Sequence, residues 1–226
     1  MNHARLVLAA FALTSAVDLA CLAAGFDAGH IVAKPLLMPS LALWAALRRA
    51  PRPLLAALLF GWGGDVLLLS GAEPAFLAGM ASFAAGHVCW LLLFRAHGSR
   101  YAVPRARAGL LALAYAGALV TTVALLWPDL PADLRVPVAG YSLLLTAMAY
   151  GAGTRLGLYT GLGGALFLLS DTLIATGVAG WPQPPRPDFW IMLTYIAAQA
   201  LLAGGALGAL NARRAPAATY GEMRVA

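Results

Sequence analysis

Charge is scarce in this chain, and lysine is all but missing. Charged residues fill 11% of the 226 positions, and Lys34 is the single lysine beside fourteen arginines. With 62% hydrophobic residues and a mean hydropathy of +0.80, too little polar surface is left to cover a soluble globule of this size. Cysteine is nearly absent too. Cys21 and Cys89 both fall in apolar runs, which excludes a disulfide framework and a metal knuckle and leaves two buried thiols. The sequence holds no Gly-x-Ser-x-Gly elbow, no P-loop and no His-x-x-x-His pair. The commonest serine hydrolase, nucleotide-binding and zinc-site readings therefore fall away. No metal and no cofactor are expected.

What is abundant is long apolar sequence. Runs able to cross a bilayer occur near 6–24, 31–47, 53–70, 75–94, 108–127, 135–151, 157–179 and 188–210, giving an expected all-α, polytopic bundle of about eight transmembrane helices. Asp18 inside the first run argues against a cleaved signal peptide. Arginine placement supports the same count. Arg5, Arg48, Arg49, Arg52, Arg95, Arg100, Arg105, Arg107, Arg155, Arg213, Arg214 and Arg224 share one side if both termini are cytoplasmic. Asp27, Glu73, Asp129, Asp133 and Asp188 mark the other side, with Arg135 and Arg186 among them. The net charge of +6 is thus a topology signal and not the basic patch of a nucleic-acid binder. Short, proline-punctuated loops predict one domain over 1–211, followed by a polar cytoplasmic tail over 212–226. Heavy use of Arg, Ala, Gly and Pro suggests a GC-rich bacterial genome, and hence the bacterial inner membrane.

Against this background Asp65 and Asp171 stand out, since each interrupts a spanning run. A carboxylate at that depth costs at least about 2.5–3.5 kcal/mol on insertion scales, so chains that keep one use it or pair it inside the bundle. Counted at 1.5 Å per residue, both lie roughly 18–21 Å from the cytoplasmic helix ends, and Asp18 shares that layer. Lys34 reaches a similar depth, with Lys34-Pro35 expected to open the second helix. A salt bridge to one aspartate and a role in a site are equally open for it. Phe76, Gly79, Phe83, Gly86, His87 and Trp90 mark one face of the fourth helix. His87 is the one histidine expected to be embedded. Tyr150 is a further intramembrane polar candidate, and Tyr195 and Gln199 form an i, i+4 polar pair in the last helix. The glycines Gly63, Gly64, Gly163 and Gly164 point to close helix packing.

Two carboxylates in a dry environment divide into one protonated donor and one ionised acceptor. Acid–base hydrolysis uses that division, and so does a proton-coupled transporter of small molecules or lipids. Residue chemistry leaves the two open.

Taken in order, Lys34-Pro35, Gly64-Asp65-Val66, Phe76-x-x-Gly79-x-x-x-Phe83-x-x-Gly86-His87, Phe167-x-x-Ser170-Asp171 and Tyr195-x-x-x-Gln199 resemble the YhhN-type family of integral membrane proteins. Its characterised members are lysoplasmalogenases. Trp90 stands where the resemblance leads one to expect tyrosine. The resemblance implies hydrolysis of the vinyl-ether bond of a lysoplasmalogen, with Asp65 and Asp171 as the acid–base pair. It makes Lys34, His87, Ser170, Tyr195 and Gln199 binding or supporting residues. The implied partner is a lysophospholipid entering from the bilayer, and the two carboxylates are expected to approach within about 8 Å, as in inverting carboxylate pairs.

Overall fold

The computed structural model describes residues 2–98 and 103–222, with residue 2 and residues 213–222 described in backbone alone. Arg100 and Arg224 lie outside that range. Eight helices follow one another: α1 (Asn2–Ala24), α2 (Asp27–Leu47), α3 (Arg52–Leu68), α4 (Glu73–His97), α5 (Arg105–Leu126), α6 (Ala132–Arg155), α7 (Leu158–Val178) and α8 (Pro187–Glu222). Seven of them are long and apolar enough to cross a membrane. The exception is α3, which at 17 residues rises only about 26 Å. Its short reach leaves Asp65 near one end of the helix. Large apolar side chains such as Leu113 and Val136 face outward and are more than two-thirds exposed, as lipid-facing positions are.

Seven helices close into a ring. α1 packs on α2, α2 on α3, α3 on α4, α4 on α6, α6 on α7 and α7 on α8, and α8 returns to α1 and α2. α5 lies outside this ring, against α6 and the edge of α7, and Leu126 is its single buried residue. The ring is held tightest where glycines let helices touch. A Cβ at Gly163 would lie 2.8 Å from the Ala198 carbonyl of α8, and one at Gly164 would lie 2.8 Å from Ala149 Cα of α6. A Cβ at Gly64 would overlap the Phe83 ring of α4. Close packing at these glycines is as their sequence pairs suggest.

Lys34-Pro35 does not open α2. The helix starts at Asp27, so Pro35 and Pro39 both lie inside it. A proline in a helix leaves the carbonyl four residues earlier without its donor. For Pro39 that carbonyl belongs to Pro35, and the Trp62 indole of α3 donates to it at 3.0 Å. A neighbouring side chain thus satisfies the group that lipid could not. α8 continues as helix beyond the expected end at 210 to Glu222, with its spanning part at Pro187–Ala212.

The two ends of the bundle differ. At the end bearing the arginine loops, Leu54, Trp90, Leu93, Phe94, Met148 and Ala152 are almost wholly buried. Trp90 stacks on Phe94 at 5.9 Å, which makes it a packing residue. At the acidic-loop end a smaller cluster of Leu126, Leu130, Leu134 and Val138 forms a separate cap.

Candidate active site

Of the face of α4 read from the sequence, Gly79, Phe83, Gly86, His87 and Trp90 are buried, and Phe76 is half-buried. Opposite it stand Asp65 on α3, Tyr141 on α6, Phe167 and Asp171 on α7, and Tyr195 and Gln199 on α8. Each carboxylate is engaged by its own tyrosine.

Asp65 is 2% exposed. The Tyr195 hydroxyl donates to its Oδ2 at 2.8 Å, and Gln199 Nε2 donates to the Tyr195 oxygen at 3.3 Å. The i, i+4 pair on α8 thus works as a relay that orients one hydroxyl on the carboxylate. Gly61 makes room for it, because a Cβ there would lie 3.0 Å from Gln199 Nε2. Among the described residues no ion pair links Lys34 to an aspartate. Asp18 instead meets His30, whose Nδ1 lies 2.8 Å from its Oδ1. Asp18 is completely buried there, and His30 is 14% exposed. A second histidine is therefore embedded besides His87, contrary to the sequence expectation. His30 passed as a loop residue because α2 was expected to begin after it.

Asp171 accepts a hydrogen bond at Oδ2 from the Tyr141 hydroxyl. Tyr141 in turn lies 3.1 Å from His87 Nε2. A phenol has one proton, so with Tyr141 donating to Asp171 the histidine must donate to Tyr141. In that arrangement Nε2 of His87 carries the proton it donates. Its Nδ1 is left buried without a hydrogen-bond partner.

Aromatic rings join the two tyrosine–carboxylate pairs. Tyr195 meets Phe167 edge-on at 5.5 Å, and Phe167 meets His87 at 4.8 Å. Phe83 closes the group against Phe167 at 6.2 Å and Tyr195 at 5.9 Å. No hydrogen bond joins the carboxylates to each other among the described residues. Ser170, next to Asp171 in sequence, points elsewhere: its hydroxyl donates to the Ile191 carbonyl at 3.1 Å and ties α7 to α8. Tyr150 contributes a backbone carbonyl to Thr154 and lies outside the network.

Asp171 and Tyr141 also line an apolar cleft between α4, α5, α6 and α7, with about 780 Å³ of space counting its open side. Phe83, Leu145, Thr146 and Leu168 form part of its wall. Thr146 is buried, and its hydroxyl has no hydrogen-bond partner. Asp65 does not line the cleft; it sits on the other side of Phe83 and Phe167, with the polar group of α1, α2 and α8. The described residues contain no cluster of histidine, cysteine and carboxylate ligands that could hold a metal. The arrangement can hold a long apolar molecule against one carboxyl group while a second carboxyl group stays among polar neighbours.

The family model described as the YhhN family matches residues 29–206, which include every group of the site from His30 to Gln199. The chain is 38% identical over 146 residues to a lysoplasmalogenase, TMEM86B, of Sus scrofa, covering 65% of this chain and 59% of that protein. It is 35% identical over 144 residues to the lysoplasmalogenase TMEM86B of Homo sapiens, covering 64% and 58%. The matched region therefore spans less than two-thirds of either relative. No solved structure matches the chain.

Proposed function

The chain belongs to the YhhN family, and on that premise we propose that it is a lysoplasmalogenase-like hydrolase of the bacterial inner membrane, cleaving the vinyl-ether bond of a lysolipid. The observation that carries this reading is the Asp171–Tyr141 pair on the wall of an apolar cleft inside a membrane bundle. The names of the two relatives support it.

The reaction proceeds in three steps. A carboxylic acid gives its proton to the alkenyl carbon remote from oxygen, and the carbon bonded to oxygen becomes an oxocarbenium ion. Water adds to that carbon and loses a proton to a carboxylate, forming a hemiacetal. The hemiacetal then breaks its bond to the glycerol oxygen, which takes up a proton, and a fatty aldehyde and a glycerophospho-base leave. General acid–base catalysis contributes about 10²–10⁴-fold to such proton transfers. An ionised carboxylate fixed nearby stabilises the cation most where water is excluded.

Asp171, lining the cleft, is assigned to proton delivery, with Tyr141 and His87 holding its orientation. Asp65 is assigned to the ionised role, since it sits off the cleft, among the polar residues beyond Phe83 and Phe167. The test is incubation of purified protein with lysoplasmenyl-ethanolamine, lysoplasmenyl-choline and their saturated-ether analogues, with aldehyde read by mass spectrometry. Aldehyde from the vinyl ethers alone supports the reading; proton-coupled uptake without any aldehyde overturns it in favour of transport.

A further inference from the structure

The cleft occupies one half of the bundle. Its wall comes from the start of α4 at Phe76 and Met80, the end of α5 at Leu119 and Thr122, the first half of α6 at Tyr141, and the second half of α7 at Asp171. All of these lie toward the loops between α3 and α4, α5 and α6, and α7 and α8. Those are the ends bearing Glu73, Asp129, Asp133 and Asp188. Toward the arginine loops the ring is filled by Leu54, Trp90, Leu93, Phe94 and Met148.

The end of the cleft is closed as well. Leu126, Leu130, Leu134 and Val138 cap it, packed against Phe76, Val178 and Trp181. Above them the Trp181 indole donates to Asp129 Oδ2 at 2.8 Å, tying the α5–α6 loop to the α7–α8 loop. An occupant therefore enters sideways from the lipid, either past α5, which is buried at one residue only, or along the groove between α4 and α6 that also reaches Tyr141. Depth agrees with this route. Asp171 is seven residues from the acidic-loop end of α7 and thirteen from the other end, about 10 Å and about 20 Å respectively. A vinyl ether sits next to the glycerol of its lipid, so a headgroup left at the acidic-loop surface sets the bond close to Asp171. From the other leaflet the headgroup would have to be dragged about 10 Å further into hydrocarbon. The polar group of Asp18, His30 and Lys34 lies in the same half, and the unpartnered hydroxyl of Thr146 on the cleft wall awaits an acceptor or donor from the occupant.

We infer that the enzyme is one-sided: it takes a single-chain lysolipid laterally from the leaflet on its acidic-loop face, and returns the water-soluble product to that face. By the arginine distribution this is the face away from the cytoplasm. The inference rests on the hydrolase reading for its product, and on the cleft alone for its sidedness.

The experiment uses sealed vesicles of the two orientations, sorted by labelling Asp133→Cys with a membrane-impermeant maleimide. Lysoplasmenyl-ethanolamine is added from outside. Initial aldehyde release is expected to be at least about tenfold faster when the acidic loops face outward, a ratio worth about 1.4 kcal/mol, and detergent should bring the two preparations to one rate. Equal rates in sealed vesicles, or the reverse order, overturn one-sidedness while leaving the hydrolase reading intact. Silence in detergent overturns the hydrolase reading instead. Sidedness is then read with a photoactivatable lysophosphatidylethanolamine added to one face: crosslinks to peptides of α5 and α6 only from the acidic-loop face support it, and equal labelling from both faces refutes it.

Discussion

Asp65 and Asp171 each keep a tyrosine hydroxyl, but their surroundings set them apart, and substitutions should separate them. Asp171→Asn removes the acid from the cleft and should lower aldehyde release by about 100-fold or more. Asp65→Asn should cause a loss of the same order through the missing negative charge, with the protein still folded in detergent; near-normal turnover in both variants would end the acid–base assignment. Tyr141→Phe deletes the link between His87 and Asp171 and leaves buried polar groups unpaired, at a cost of about 1–3 kcal/mol. Steady-state kinetics should show a lower kcat with KM little changed, because Tyr141 acts through Asp171. Sequence alone pointed to both aspartates, His87 and the Tyr195–Gln199 pair, since each breaks an apolar run or repeats at helical spacing. Tyr141 carries no such mark. Its partners are 54 and 30 positions away, and nothing beside it in α6 sets it off from an ordinary interfacial tyrosine.

Helix identities were legible from apolar length, and helix starts were less so. Lys34-Pro35 looked like the opening of α2 because proline is most comfortable at a first turn. The actual start at Asp27 puts both Pro35 and Pro39 inside the helix, and the carbonyl that Pro39 leaves unbonded is taken up by Trp62, a contact across 27 positions that no local pattern encodes. Trp62→Phe should therefore cost about 1 kcal/mol, read as an earlier midpoint of thermal unfolding in detergent. Gly163→Leu is a harsher change, because the new side chain meets the backbone of α8 and backbone cannot rotate aside. Its unfolding midpoint should fall well below that of Trp62→Phe. Ala118→Trp on α5 differs from both. Ala118 lines the cleft from the loosely attached helix, so filling it should raise KM for long-chain substrates while leaving the unfolding midpoint near that of the unchanged protein.

The ring of seven helices with α5 outside it explains why a protein with so few polar residues can keep several of them dry: Asp65, His87, Tyr195 and Gln199 are buried inside the ring, Tyr141 and Asp171 line the cleft, and side chains such as Leu113 and Val136 face the lipid. Composition and arginine placement revealed the bundle and its two faces. They did not reveal the cleft, which comes from the way α5 stands off its neighbours. Mass spectrometry of the aldehyde released from lysoplasmenyl-ethanolamine in D₂O, by the unchanged protein and by Asp171→Asn, brings bundle, cleft and carboxylates to a single test. Carbon protonation by Asp171 predicts an aldehyde carrying one deuterium on the carbon next to the carbonyl, with the amount falling by about 100-fold in the variant. An aldehyde free of deuterium, or one formed as fast by Asp171→Asn, would contradict it.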